Sequence, residues 1–139
     1  MSATLEVKGL CTHFFTRAGV VKAVDGIDFS VGKGEIMGLV GESGSGKSIT
    51  GFSILGLIDP PGRITEGSIK FNGTEIANAS EKALQKLRGN RIAMIFQDPM
   101  MTLNPVLRID TQMIEAITAH ENVDHQTAWE RSRDALGLV

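Results

Sequence analysis

The sequence has little of what secreted and membrane-spanning proteins need. It contains one cysteine, Cys11, so an intrachain disulfide is impossible and a cysteine-rich metal site is excluded. The longest apolar stretch, 49–58, is interrupted by polar residues and glycines and falls short of the roughly 18 residues of a membrane span. The N-terminus has no basic region followed by an apolar core, which excludes a signal peptide there.

An excess of basic residues is also absent. The 14 Lys and Arg residues are outnumbered by 16 Asp and Glu residues, and the net charge is −2. Proteins that bind a phosphate backbone are usually basic, so we expect no nucleic-acid partner. A short basic stretch is interpreted as a solvated helix face; it comprises Lys82, Lys86, Arg88 and Arg91. The 139 residues suffice for one small domain or for part of a larger one.

Alternating and apolar runs predict strands, and helical spacing predicts helices. The predicted strands cover 5–10, 23–31, 35–40, 69–71, 74–76 and 91–96. Asn72-Gly73 supplies the two residues that a tight hairpin turn needs. A helix is predicted over 47–57, a short one after Ser80, one in the tail from Ile109, and a last one capped by Asp124.

One glycine-rich segment carries specific chemistry. Residues 41–48 fit the pattern G-x-x-x-x-G-K-[ST] of a phosphate-binding P-loop, between a predicted strand and a predicted helix. Backbone N–H groups wrap the phosphate and the helix directs its positive end at it, while Lys47 contributes a point charge and Ser48 a hydroxyl for Mg²⁺. The predicted nucleotide-binding residues are Gly41, Glu42, Ser43, Gly44, Ser45, Gly46, Lys47, Ser48 and Ile49.

A family resemblance narrows the choice among P-loop proteins. Residues 34–48 resemble the P-loop region of an ABC transporter ATPase, and residues 92–100 resemble its Q-loop, with Gln97 fifty positions after Lys47. Three further segments resemble the dipeptide/oligopeptide and nickel importer branch: 23–29, 56–64 and 103–105. The resemblance implies an α/β fold. Residues 1–105 would hold an N-terminal antiparallel β-subdomain plus part of a P-loop NTPase core, and residues 106–139 the start of an α-helical subdomain.

The same resemblance implies roles for individual residues. Lys47 and Gln97 would be catalytic, and Ser48 and Gln97 would hold Mg²⁺ beside bound ATP. Phe14 would stack on adenine, with Phe15 as the second candidate. His13 is expected in the β-region without evident partners, and His120 and His125 are expected to be surface or capping residues.

Several motifs of a complete ABC ATPase are missing from the sequence. We find neither a Leu-Ser-Gly-Gly-Gln-type signature, nor an apolar strand ending in an Asp and a catalytic Glu, nor a switch histidine. We therefore expect an N-terminal fragment of a longer subunit. The full-length subunit would hydrolyse ATP, whereas this piece would at best bind nucleotide weakly.

The resemblance also implies an assembly. Integral membrane permease subunits and a second ABC ATPase subunit would be direct partners, with a substrate-binding protein acting indirectly, at the cytoplasmic face of the plasma (inner) membrane. The substrate stays open between dipeptides, oligopeptides and nickel. Two alternatives remain: a soluble ABC-type ATPase that is not linked to transport, and a P-loop small-molecule kinase.

Overall fold

The computed structural model describes residues 3–98, 100 and 102–139. They form two units, one within the first 85 residues and one from Lys86 to Val139. The strands are β1 (Leu5–Thr16), β2 (Gly19–Val31), β3 (Gly62–Phe71) and β4 (Thr74–Glu75). The helices are α1 (Lys47–Leu55), α2 (Glu81–Gln85), α3 (Ile109–Thr118) and α4 (His125–Leu136).

The first unit is built on an antiparallel sheet in the order β2-β1-β3-β4. Val7, Leu10 and Ile69 are at most 1% exposed and form the centre of its core. Burying an aliphatic side chain contributes about 1.5–3 kcal/mol, so this short apolar row stabilises the central strand pair.

The β3–β4 hairpin confirms the predicted turn. Asn72 and Gly73 have φ of 48° and 79°, the positive values that a tight two-residue hairpin requires. The Glu75 carboxylate braces the hairpin, because it accepts hydrogen bonds from the N–H groups of Ile69 (2.9 Å) and Ala77 (3.0 Å).

Helix α1 packs on the sheet through a buried polar contact. The hydroxyls of Thr12 on β1 and Ser53 on α1 lie 2.7 Å apart, and both residues are buried. The Ser53 hydroxyl also donates to the carbonyl oxygen of Ile49 (2.7 Å). The helix predicted over 47–57 ends at Leu55, where the Leu57 N–H bonds back to the Phe52 carbonyl oxygen at 2.8 Å and closes the helix.

The predicted strands over 35–40 and 91–96 are wrong for this structure. Both segments lie outside the sheet, and Ile36, Val40 and Ile95 are 99%, 92% and 98% exposed. An isolated parallel bridge between Arg88 and Ile92 is the single pairing that the described part of these segments makes. The reason is physical: a strand exists only within a ladder, and no described segment offers these two a partner.

The second unit contains α3 and α4, which pack on each other, and their buried residues are Ile114, Ala128 and Ser132. The predicted cap of α4 is confirmed, since the Asp124 carboxylate accepts a hydrogen bond from the Thr127 N–H at 2.8 Å. This hydrogen bond lowers the pKa of Asp124. Among the described residues, no helix has the length and apolar character to cross a membrane.

The loop before α3 is tied to that helix. The side-chain amide of Gln112 donates to the carbonyl oxygens of Asn104 and Leu107, both at 3.1 Å, and its oxygen accepts from the Asn104 N–H at 2.9 Å. Residues 104–107 therefore have a defined position relative to α3.

Candidate nucleotide-binding site

The P-loop segment, residues 41–48, lies against the backbone of β2 at Gly46. Gly46 has φ 92° and ψ 2° at the N-cap of α1. A Cβ at this position would lie 2.3 Å from the carbonyl oxygen of Ala23 and 3.5 Å from Val24 Cγ2. Any side chain would force the backbone of the loop or of β2 to move, so glycine is required here.

The N-terminal end of α1 is open to an anion. No side chain caps it, and its first turn has no acidic residue. The first N–H groups of a helix lack intrahelical acceptors, and the helix dipole gives this end a positive partial charge. Such an end favours the binding of a phosphate group.

Lys47 lies across the P-loop. Its Nζ donates to the carbonyl oxygens of Gly41 and Glu42, both at 2.6 Å, and lies 3.3 Å from Ser45 Oγ. The loop is further bent by a hydrogen bond from the Ser45 N–H to the Glu42 carbonyl oxygen (3.2 Å). The ammonium group is therefore held over the segment whose N–H groups would receive the phosphate.

The remaining predicted residues of the loop line its outer side. Glu42, Ser43, Gly44 and Ser48 are exposed, whereas Ile49 is half-buried. An exposed hydroxyl in the first turn of α1 is available to a hard cation such as Mg²⁺, which prefers oxygen ligands. The donors and the hydroxyl together fit a nucleoside triphosphate with its magnesium ion.

The two aromatic candidates occupy different surroundings. Phe14 is half-buried, and its ring lies close to Gly62. A Cβ added to Gly62 would lie 2.5 Å from the Phe14 ring and 2.8 Å from Ile58 Cγ2. Phe15 is exposed, and the Arg63 guanidinium lies 4.3 Å from its ring centroid in a cation–π contact. Stacking of Phe14 on adenine stays a prediction.

Gln97 belongs to the second unit, where it is exposed at a bend. The neighbouring Asp98 carboxylate accepts a hydrogen bond from the Met100 N–H at 2.9 Å. Pro99, which belongs to the Q-loop resemblance over 92–100, lies outside the described residues. The roles of Gln97 in magnesium binding and catalysis stay predictions.

One cluster was missed from the sequence. His13 is not without partners, since its Nδ1 lies 3.3 Å from Thr65 Oγ1 and its Nε2 lies 3.6 Å from Asp25 Oδ1. Cys11 Sγ lies 3.9 Å from the same carboxylate oxygen. The spacing Cys-x-His on a predicted strand could have indicated this cluster, because alternate residues of a strand share a face. The position of Asp25 could not be predicted, because it depends on the β1–β2 register.

Comparisons with known proteins place this geometry in a family. The family model described as ABC transporter matches residues 24–137. The oligopeptide transport ATP-binding protein AppD of Bacillus subtilis is 46% identical over 140 residues, covering 100% of this chain and 43% of that protein. OppD of Escherichia coli, also an oligopeptide transport ATP-binding protein, is 49% identical over 137 residues, covering 99% and 40%. The dipeptide transport ATP-binding protein DppD of the same organism is 44% identical, covering 99% and 42%.

Solved structures share the fold. The dimeric ATP-binding cassette MJ0796, in a post-hydrolysis state bound to ADP and Pi, superposes with a TM-score of 0.83 at 20% identity, covering 96% of this chain and 56% of that one. The ADP conformation of the cassette MJ1267 gives a TM-score of 0.59 at 26% identity, covering 87% and 43%.

The chain thus spans less than half the length of the curated relatives named above, and it has part of the α/β fold of an ABC ATPase cassette. A P-loop against an antiparallel sheet, and a family match over most of the sequence, lead to one conclusion: this chain belongs to the ABC transporter family.

Proposed function

We propose that this chain is part of the ATP-binding subunit of an ABC importer, which couples ATP binding and hydrolysis to the uptake of dipeptides or oligopeptides. The observation that carries the proposal is the P-loop segment, with Gly46 seated against Ala23 and an uncapped helix N-terminus behind it. The names of the relatives support peptides as the substrate class.

In this proposal the chain's own groups bind and orient the triphosphate. The N–H groups of the loop and of the first turn of α1 donate to phosphate oxygens. Lys47 exchanges the carbonyl oxygens of Gly41 and Glu42, which it now contacts, for phosphate oxygens. Ser48 and Gln97 would hold Mg²⁺, which neutralises the charge of the phosphates when it is bound.

Hydrolysis needs more than these groups. A second acidic motif and a signature motif are absent from the 139 residues. Phosphoryl transfer depends on a positioned water and on full neutralisation of charge, and Lys47, Ser48 and Gln97 supply only part of both. We therefore propose that hydrolysis belongs to the longer subunit, paired head-to-tail with a second ATPase subunit; MJ0796 itself is dimeric.

The proposed assembly includes integral membrane permease subunits, with this subunit peripheral at the cytoplasmic face of the membrane and a substrate-binding protein acting indirectly. Membership of the ABC transporter family excludes the small-molecule kinase alternative. A soluble ABC-type ATPase remains the second candidate. Co-purification of the full-length subunit with an integral membrane protein supports transport, and purification without one supports the soluble alternative.

The direct test is nucleotide binding. We expect a fluorescent ATP analogue with Mg²⁺ to bind the chain, and we expect Lys47→Ala to weaken binding at least about tenfold, since it removes a charge-assisted contact worth about 1.5–3 kcal/mol. Lys33→Ala, at an exposed turn outside the loop, is the matched control and should bind as the wild type does. Equal binding by wild type and Lys47→Ala contradicts the proposed site. If neither protein binds, the loop does not form in this chain alone, and the same pair of variants is compared in the longer subunit.

A second measurement concerns turnover. Steady-state ATP hydrolysis by the purified chain should not exceed that of Lys47→Ala, because the chain lacks the groups named above. Robust hydrolysis by the wild-type chain alone would show that they are not needed.

A further inference from the structure

A cysteine, a histidine and a carboxylate meet on the β1–β2 hairpin. Cys11 and His13 alternate along β1, and the strand register places Asp25 of β2 opposite Cys11. One ligand atom from each residue lies within 4.8 Å of the other two. Two of these separations are 3.6 Å, from His13 Nε2 to Asp25 Oδ1, and 3.9 Å, from Cys11 Sγ to Asp25 Oδ1.

Hydrogen bonding determines which nitrogen of His13 faces the cluster. The Thr65 hydroxyl donates to the carbonyl oxygen of Cys11 (3.4 Å), so it accepts from Nδ1 of His13 (3.3 Å). The imidazole is thereby assigned the Nδ1–H tautomer, which leaves a lone pair on Nε2. Nε2 is buried and has no hydrogen-bond partner among the residues that the structure describes.

The cluster therefore collects acceptors. The Nε2 lone pair faces a carboxylate oxygen, which is acceptor-only when ionised, and the Cys11 thiol, a weak donor to that oxygen at 3.9 Å, lies beside both. Lone pairs turned towards each other repel unless a cation lies between them. A proton on Nε2 or a metal ion would satisfy this arrangement, and sulfur as a third ligand favours the metal ion.

The distances suit a tetrahedral ion. Zinc binds sulfur at about 2.3 Å and nitrogen or oxygen at about 2.0–2.2 Å, which separates tetrahedral ligands by about 3.3–3.6 Å. The observed 3.6 Å lies at the upper end of this range, and the observed 3.9 Å, which involves the larger sulfur atom, exceeds it by a few tenths of an ångström. Mg²⁺ and Ca²⁺ prefer all-oxygen sites, whereas Zn²⁺ accepts sulfur, nitrogen and oxygen together.

We propose that Cys11, His13 and Asp25 form a Zn²⁺ site that joins β1 to β2. The Thr65 hydroxyl accepts from Nδ1 of His13 and so orients the imidazole with Nε2 towards the metal ion. On binding, the Cys11 thiol loses its proton to solvent, and water completes the fourth position. Lys22 Nζ lies 3.3 Å from Oδ2 of Asp25 and 3.5 Å from Oδ1, so the metal ion would replace the longer contact of this exposed ion pair and leave the shorter one.

The test uses the whole chain with its thiol kept reduced. Titration with Zn²⁺ against a chromophoric chelator should show one zinc ion bound per chain. Cys11→Ser, His13→Gln and Asp25→Asn should each weaken binding at least about tenfold, as loss of a ligand should cost no less than loss of a second-shell partner. His125→Gln removes an exposed histidine of α4 and should bind zinc as the wild type does.

Two further measurements do not depend on changing a ligand. Co²⁺ added to the wild-type chain should produce a thiolate-to-cobalt charge-transfer band in the near ultraviolet. Thr65→Val keeps all three ligands but removes the acceptor for Nδ1, and it should lower zinc affinity about 10–100-fold.

Three results would overturn the proposal. The first is the absence of stoichiometric zinc binding and of the cobalt band, which would leave a protonated His13 paired with Asp25 as the cation of this cluster. The second is wild-type affinity in the three ligand variants with unchanged far-ultraviolet circular dichroism. The third is an equal loss of affinity in His125→Gln.

Discussion

At the scale of single residues, glycine at position 46 lets the backbone of the P-loop lie against β2. Gly44 and Gly46 both have positive φ, 82° and 92°. They differ in what surrounds them, because a Cβ on Gly46 would meet the Ala23 carbonyl oxygen at 2.3 Å, whereas a Cβ on Gly44 would meet nothing within 4 Å. Substituting alanine at each of these two glycines therefore distinguishes the cost of backbone strain from the cost of a steric clash.

We expect Gly44→Ala to lower the free energy of unfolding by about 1–2 kcal/mol, the cost of a left-handed non-glycine residue. Gly46→Ala should cost more, since the loop or β2 must also shift, and it should abolish nucleotide binding. Urea unfolding and titration with a fluorescent ATP analogue measure both effects. Equal destabilisation by the two substitutions would contradict the steric argument.

Glu75 is a residue whose charge state matters to the β3–β4 hairpin. Its partial burial raises the pKa of this carboxyl, but hydrogen bonds from the Ser68 hydroxyl and from the N–H groups of Ile69 and Ala77 lower the pKa by more, so the net shift is downward. A lowered pKa in the folded state means that the ionised carboxylate stabilises the hairpin.

Glu75→Gln should therefore lower the Tm at pH 7. The stabilisation is present above the pKa of an unfolded glutamate, roughly 4.3, and is lost as the pH falls through the lower pKa of the folded state. Thermal unfolding of both proteins between pH 7 and pH 3 should show the difference shrinking. Glu66→Gln, at an exposed position of β3, is the control. A difference in Tm that stays constant with pH would show that the hydrogen bonds to the ionised carboxylate are not the source of the stabilisation.

At the scale of secondary-structure elements, a buried polar contact links helix α1 to strand β1 of the sheet. Thr12 and Ser53 are only 0% and 2% exposed, so water cannot replace the partner of either hydroxyl. Since the Ser53 hydroxyl donates to Ile49, the Thr12 hydroxyl is the donor in the contact between them. This contact holds the helix whose first turn carries Lys47 and Ser48.

Ser53→Ala leaves the Thr12 hydroxyl buried without its acceptor and should lower the free energy of unfolding by about 1–3 kcal/mol. Thr12→Val combined with Ser53→Ala removes both hydroxyls, and the double variant should be more stable than the sum of the single changes predicts. Denaturant unfolding of the wild type, the two single variants and the double variant completes this double-mutant cycle. Strict additivity would mean that the two hydroxyls do not interact.

At the scale of the whole molecule, two apolar segments have no ladder partners among the described residues. Ile36 and Val40 precede the P-loop and Ile95 precedes Gln97, and all three are more than 90% exposed. Apolar, extended and unpaired backbone is a template for pairing with another chain. The solved ABC cassettes that share this fold are longer, and this chain covers 56% and 43% of them.

We expect the chain to self-associate in a concentration-dependent manner, as measured by light scattering or sedimentation. Ile36→Lys combined with Ile95→Lys should reduce association, since charges on an open strand edge oppose pairing. Gln85→Lys combined with Asn122→Lys adds the same charge at exposed polar positions outside the sheet and is the matched control. A monomer at all concentrations, or an equal effect of both variants, would contradict this prediction.

Features that depend on near neighbours in the chain could be predicted. The Asn72-Gly73 turn, the Asp124 cap and the start of α1 at Lys47 all follow the sequence, because each depends on the φ preferences or the side-chain reach of a few consecutive residues. The P-loop belongs to this class, since its glycines and lysine act within eight positions.

Contacts between distant positions were decided by the tertiary structure. Whether 35–40 and 91–96 form strands depends on partners that no local pattern supplies, and the partners of His13 depend on the β1–β2 and β1–β3 registers. The sequence by itself determined the family, the phosphate-binding loop and the turns, because these are local in the chain. Only the tertiary structure brought Ala23 against Gly46 and Asp25 beside Cys11 and His13, because strand pairing joins residues that the sequence keeps apart.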